Sequence, residues 1–182
     1  MVPVNALVLF DIDGTLVRKA GPHHRRALEE AVRHVTGVEA STENVPVAGM
    51  LDRDIVAAMM HHAGVSATTV RRAMPQIVER AQRIYVRTCP DLRRKVCPGV
   101  RSLLRQLERR GVTMGLVTGN LTRIGWRKME RAGLRPRFRF GCFRKGENHG
   151  AVAPQAAASE QRIVRGENRA GRNVKSRVAV GR

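Results

Sequence analysis

The chain has 182 residues, with 34 Lys and Arg against 15 Asp and Glu and a formal net charge of +19. That length accommodates one domain, or a domain carrying a small insert, around a buried core, and a hydrophobic content of 42% excludes wholesale disorder. No apolar run reaches the ~18–20 residues of a membrane span, and the start, Met1 to Phe10, lacks the basic segment of a cleaved signal and soon meets Asp11.

Cys89, Cys97 and Cys142 are odd in number and show no CxxC spacing, the pattern of reduced thiols in a cytoplasmic protein. The positive excess is mostly arginine, 29 Arg to 5 Lys, spread along the whole chain. A nucleic-acid-binding reading rests on that charge alone, because aromatic residues make up only 3% and leave little for base stacking. An arginine-rich codon usage accounts for the excess better than a nucleic-acid partner does.

In chain order, Ala6 to Phe10 is a short unbroken apolar run, which suits a strand buried on both faces of a parallel sheet. Asp11-Ile-Asp-Gly-Thr-Leu16 follows, with Gly14 marking a turn. Ala27, Leu28, Ala31, Val32 and Val35 recur at helical spacing, and Gly37 ends that helix. Residues 41–95 read as helical and self-contained. Ile55, Val56, Met59 and Met60 form one apolar face closed by Gly64; a longer helix runs from Thr68 or Thr69 to Tyr85 or Val86, with Pro75 inside it as a kink or a split. The methionines read as core filler. The histidine pairs His23-His24 and His61-His62 are adjacent, so each pair points to different helix faces and reads as surface or cap residues, not as metal ligands. Arg53, Arg71 and Arg72 read as solvated helix faces.

A different rhythm starts at Pro98-Gly99. Val100, Leu103, Leu104 and Leu107 form a helical stripe that stops at Arg109-Arg110-Gly111. Val112 to Val117 reads as a second buried strand ending in Thr118-Gly-Asn120, and a further helix passes through Ile124, Trp126, Met129 and Ala132 to Gly133. Strand, helical insert, helix, strand, helix is an α/β pattern with a parallel sheet. Residues 144–182 hold 9 Lys and Arg, 3 Asp and Glu, and no Leu, Phe, Met, Trp or Tyr. They read as a basic tail, disordered or translated out of frame.

Asp11 and Asp13 lie two residues apart at the end of a strand, so extended backbone puts both carboxylates on one side, at the sheet edge where ligands bind. Adjacent carboxylates repel unless a cation or a shared proton neutralises them. Mg²⁺ suits such a pair together with a substrate phosphate, and an aspartate can also attack phosphorus as a nucleophile. A solvated turn with Asx hydrogen bonds is the plainer reading of this motif alone. Thr118, with the backbone at Gly119 and Asn120, adds a candidate anion site beside Asp11.

Phe10-Asp-Ile-Asp-Gly-Thr-Leu16 resembles the first motif of the haloacid dehalogenase-like (HAD) hydrolase superfamily, and Leu116-Val-Thr-Gly-Asn120 resembles the second. The insert resembles the helical cap of phosphoglycolate-phosphatase-like members. The resemblance implies an α/β fold with an incomplete Rossmann-like core formed by residues 1–17 and 96–143, a cap at 18–95 and the tail at 144–182. It implies a Mg²⁺-dependent phosphatase acting on a small phosphorylated metabolite. Asp11 would be the nucleophile, Asp13 the acid and base, and Thr118, Gly119 and Asn120 the phosphate site. The metal would lie on Asp11 and the backbone carbonyl of Asp13.

Three departures stand out. Cap members often carry Gly-x-Thr-Asp near the substrate, where this chain has Gly49-Met-Leu-Asp52. The third motif supplies a Lys or Arg, yet Arg144 and Lys145 lack its setting. The fourth supplies further aspartates, whereas the aspartates here are Asp11, Asp13, Asp52, Asp54 and Asp91. The expectation is therefore an impaired phosphatase, against the alternatives of a catalytically inactive, truncated HAD-like domain or a basic nucleic-acid-binding protein.

Overall fold

The computed structural model describes residues 6–18 and 21–143; the expectations for residues 144–182 lie outside that range. Three strands, β1 (Leu7–Phe10), β2 (Thr113–Thr118) and β3 (Phe140–Phe143), form a parallel sheet in the order β1-β2-β3. Helices α1 (His23–Thr36), α2 (Asp52–His62) and α3 (Ala67–Thr88) follow β1, α4 (Val100–Arg109) leads into β2, and α5 (Thr122–Ala132) connects β2 to β3. The register pairs Phe10 with Leu116 and Thr118 with Phe143. The chain therefore leaves β1 and β2 at the same sheet edge, which carries Asp11 at the end of one strand and Thr118 at the end of the other.

Immediately after β1 the backbone makes a tight helical turn. The Ile12 carbonyl accepts from the N–H groups of Leu16 and Val17 at 3.0 and 2.9 Å, and Gly14 N–H donates to the Val17 carbonyl at 2.8 Å. Gly14 has a φ of +85°, a conformation that glycine adopts without strain. Ile12, Leu16 and Val17 are fully buried. These three anchors fix the alternation that turns Asp11 and Asp13 outward on either side of Ile12.

The sheet departs from the expected burial on both faces. Phe10, Ile12, Met114 and Leu116 are buried, and α5 packs closely over this side at Gly125. A Cβ on Gly125 would overlap the Phe143 ring and lie 3.2 Å from Ile12 Cδ1. Alternate side chains point the other way. Leu7 is 56% exposed, Leu9 46% and Val117 47%, so that face is open. The third strand is also an addition to the sequence reading.

Pro75 neither splits α3 nor ends it: the helix runs unbroken over 22 residues. Proline removes one backbone hydrogen bond, but Val70, Ile77, Ala81, Ile84 and Tyr85 bury a stripe on both sides of it. Ser66 caps the start, its hydroxyl accepting from Thr69 N–H. α3 packs on α1, α2 and α5, and this last contact brings Tyr85 to the sheet edge. Cys89, Cys97 and Cys142 are free thiols. Among the described residues no helix is long and apolar enough to cross a membrane.

Candidate active site

Asp11 is exposed and its carboxylate accepts no hydrogen bond from the described residues. Asp13 is the opposite case. Lys128 Nζ donates to both of its carboxylate oxygens, at 2.8 and 2.7 Å, and Asn120 Nδ2 donates to Oδ2 at 2.8 Å. The Asp13 side chain keeps 40% exposure whereas that of Lys128 has 1%. The pair is thus a buried ammonium under a carboxylate with one side open to the crevice.

Lys128 comes from α5, on the same helical face as Ile124, Gly125, Met129 and Ala132, all buried. A fully buried lysine is rare unless its charge is paired. Its ammonium also donates to Asn120 Oδ1 at 2.6 Å and meets His24 Nδ1 at 3.2 Å. The Tyr85 ring centroid lies 6.0 Å away.

Asn120 sits at the centre of the network, and its neighbours fix its orientation. Lys128 can only donate and an ionised Asp13 can only accept, so Asn120 Oδ1 faces Lys128 and Nδ2 faces Asp13. The same Nδ2 donates to Thr118 Oγ1 at 2.7 Å, and Asn120 N–H points at that oxygen from 3.4 Å. Two donors on the Thr118 oxygen leave its own proton to be given away, and no described residue accepts it. The Thr118 hydroxyl is therefore the group with a proton to offer an anion, whereas the Asn120 side chain is already committed to Asp13, Lys128 and Thr118.

The electrostatics follow from this wiring. Burial pushes the Asp13 carboxyl up. The charge of Lys128, with hydrogen bonds from Lys128 and Asn120, outweighs that push and holds it below the ordinary carboxylate range. Burial and the neighbouring Cys89 raise the Tyr85 hydroxyl above its ordinary value, which keeps the ring beside Lys128 neutral. A carboxylate whose folded pKa is lowered stabilises the fold above its ordinary pKa of 3.8, and that stability is lost as pH falls through the lower folded value. Urea unfolding of wild type and Lys128→Met should therefore differ at neutral pH and converge as pH drops below about 4. A difference that persists unchanged into acid would contradict the ion pair.

The helical insert reaches this cluster through two residues. His24 Nε2 lies 3.0 Å from Asp52 Oδ2, and the His24 ring packs edge-on to Tyr85 with centroids 5.5 Å apart. Asp52 is buried; Oδ2 also accepts Leu121 N–H at 2.7 Å, and its own N–H donates to the Gly119 carbonyl at 3.0 Å. The Gly49-Met-Leu-Asp52 segment thus turns its aspartate inward onto the Thr118-Gly-Asn120 turn. Gly119 suits this close contact. A Cβ there would lie 3.1 Å from both Leu51 Cδ2 and the Met50 carbonyl oxygen.

Asp11, Asp13, Thr118, Gly119 and Asn120, singled out from the sequence, share one edge of the sheet. The sequence reading missed Lys128 and left His24 and Asp52 without a role. Arg144 and Lys145, considered for the cation, lie outside the described residues; Lys128 on α5 is the cation that meets Asp13 among those described. A lysine in the otherwise apolar stripe of α5 was the available signal.

Mg²⁺ can be tested against these donors. Asp11 offers a carboxylate that no described residue occupies, with the Asp13 carbonyl two residues on, the hard oxygen set that Mg²⁺ takes while keeping several waters. The Asp13 carboxylate is already paired with Lys128. Among the described residues no group of three or more His, Cys, Asp and Glu forms a complete metal centre. The site fits an ion shared with substrate oxygens, and not a closed protein cage.

A family model described as haloacid dehalogenase-like hydrolase matches residues 6–172. The chain belongs to this family. The match extends past Phe143 into the stretch where the composition changes. Among solved structures, the chain is similar to a predicted phosphoglycolate phosphatase from Haemophilus somnus 129PT, at 16% identity and a TM-score of 0.57, covering 90% of this chain and 73% of that one. It is similar to CbbY from Rhodobacter sphaeroides in complex with phosphate, at 20% identity and a TM-score of 0.53, covering 88% and 72%. β-Phosphoglucomutase from Clostridium difficile is similar at 16% identity and a TM-score of 0.54, covering 87% and 70%. At these identities the HAD-like hydrolase shares with them the Rossmann-like α/β fold. No curated protein sequence matches this chain.

Proposed function

We propose that this HAD-like hydrolase is a phosphatase of small phosphorylated metabolites that works through an aspartyl-phosphate on Asp11. The observation that carries the reading is the pairing of an unengaged carboxylate, Asp11, with a second one, Asp13, held by Lys128 and Asn120 next to the free proton of Thr118. Asp11 attacks phosphorus, the bond to the leaving oxygen breaks, and that oxygen takes its proton from the Asp13 carboxyl. The Asp13 carboxylate then takes a proton from water, the oxygen of that water attacks phosphorus, and the bond to the Asp11 oxygen breaks to release phosphate. Thr118 donates to a phosphoryl oxygen. Lys128 supplies a buried cation that acts through its contacts with Asp13 and Asn120. Mg²⁺, held by Asp11 and the Asp13 carbonyl, would neutralise phosphoryl charge. With only Asp11 and the Asp13 carbonyl to hold it among the described residues, its contribution to charge stabilisation would be small and turnover low, because electrostatic stabilisation is usually the largest catalytic contribution.

The lowered pKa of Asp13 leaves little of its protonated form at neutral pH to act as the general acid. Protonating an alkoxide leaving group is then the difficult half of the cycle. Hydrolysis of acetyl phosphate or an aryl phosphate is expected to exceed that of an alkyl phosphate by about tenfold or more in kcat/KM. Phosphate release from a panel of these esters with and without Mg²⁺ tests this; equal rates across leaving groups would sink the argument, and no release from any ester would sink the phosphatase reading.

The second reading is a catalytically silent HAD-like domain. The open sheet face at Leu7, Leu9 and Val117 favours it, since a large exposed apolar patch is an association or aggregation surface. A broad, non-cooperative melt without phosphate release would select this reading.

A further inference from the structure

We propose that His24 is a positioning residue: from the helical insert it holds the Lys128 ammonium on Asp13, and it does so as the neutral tautomer with its proton on Nε2. What the positioning serves rests on the phosphatase reading; that it exists rests on the hydrogen-bond geometry alone.

The two partners of His24 have opposite capacities. Lys128 Nζ, 3.2 Å from Nδ1, has protons and no lone pair, so Nδ1 must accept. Asp52 Oδ2, 3.0 Å from Nε2, has only lone pairs when ionised, so Nε2 must donate. A doubly protonated ring would aim an N–H at an ammonium. The opposite tautomer would set an N–H against Lys128 and a lone pair against a carboxylate. One arrangement satisfies both contacts.

Each end of this bridge is fixed. Asp52, the first residue of α2, is held by Leu121 N–H and through its own N–H by the Gly119 carbonyl. The His24 ring is braced by Tyr85 from α3. Lys128 has three protons and four acceptor atoms around it: both oxygens of Asp13, Asn120 Oδ1 and His24 Nδ1. Without an acceptor on the His24 side, the ammonium loses the contact that sets its direction. Three helices of the insert thus converge on the orientation of one core lysine, and the acid–base carboxylate is fully wired only when the insert is seated.

The resting protein provides the first test. Two-bond ¹H–¹⁵N correlation of the imidazoles at pH 8, with the His24 signal assigned by its loss in His24→Asn, should show the Nε2–H form. An Nδ1–H form or a doubly protonated ring at that pH overturns the proposal whatever the activity. The second test compares two amides in the full chain, with acetyl phosphate as the probe. Asparagine places its carbonyl oxygen near the position of Nδ1 and keeps the acceptor for Lys128. Glutamine reaches the position of Nε2 and keeps only the Asp52 contact. His24→Gln should lose about 10-fold to 100-fold in kcat with KM little changed, and His24→Asn should recover most of that loss. Equal losses in the two, or a loss confined to KM, overturn the positioning role. If wild type hydrolyses no phosphoester while the Nε2–H tautomer is present, the phosphatase reading fails and the bridge stands.

Discussion

Lys128→Met should lower kcat/KM for a phosphoester by about 10²–10³, the usual cost of removing one preorganised charge-stabilising donor, while the protein still folds cooperatively. Methionine has nearly the length of the lysine stem and fills the channel on α5 without polar atoms. What is lost is the cation on Asp13 and the donor to Asn120 Oδ1. Asp13 is open on one side, so water can replace part of the loss, and the stability cost should stay near 1–2 kcal/mol. The converse change is harsher. Asp13→Asn leaves a buried ammonium with only neutral partners, and stranding a buried charge is the costly way to break a pair. Steady-state kinetics and urea unfolding on both variants separate these effects. Equal stability losses in the two would contradict the asymmetric burial of the pair, and unchanged kinetics in Lys128→Met would remove Lys128 from the site.

Asp11→Asn should abolish turnover, by on the order of 10⁴-fold or more, and leave stability unchanged within about 0.5 kcal/mol. The two halves of this expectation come from one observation: Asp11 is exposed and makes no hydrogen bond to the described residues. Nothing in the fold depends on its charge, and the proposed chemistry depends on it completely. An asparagine oxygen cannot form the acyl phosphate. Thermal melting beside a phosphate-release assay reads both. Retained hydrolysis would place the nucleophile elsewhere; a marked loss of stability would mean that Asp11 has a structural partner.

Much of the architecture was legible because its signals are local. The apolar runs at Ala6 to Phe10 and Val112 to Val117, the helical stripe of α4 and the glycines that end α1 and α5 each act within a few residues. β3 was harder to see, because Arg139 and Gly141 interrupt Phe138, Phe140 and Phe143, and its pairing with β2 comes from the sheet. The open face of β1 was hidden for a related reason. An unbroken apolar run does not state which of its sides is covered, and here Leu7 and Leu9 face outward.

The site divides in the same way. Asp11, Asp13, Thr118 and Asn120 stand in two short motifs, which a sequence displays directly. Lys128 meets an aspartate 115 residues away in the chain, a separation that carries no spacing signal. A lysine within an apolar stripe ordinarily lays its stem along the surface and keeps its head in water; only the packing of α5 against α3 and against Ile12 after β1 makes it a buried partner. His24 and Asp52 were hidden by the same rule, since their roles appear once α1, α2 and the Thr118 turn are brought together.

The claim of a phosphoryl-transfer site at the end of β1 is tested most directly by trapping the intermediate. The protein is exposed briefly to acetyl phosphate and Mg²⁺, quenched in acid, digested and read by mass spectrometry. The account predicts a phosphoryl group on Asp11, lost in Asp11→Asn. A phosphoryl group on any other residue, or on none, would contradict it.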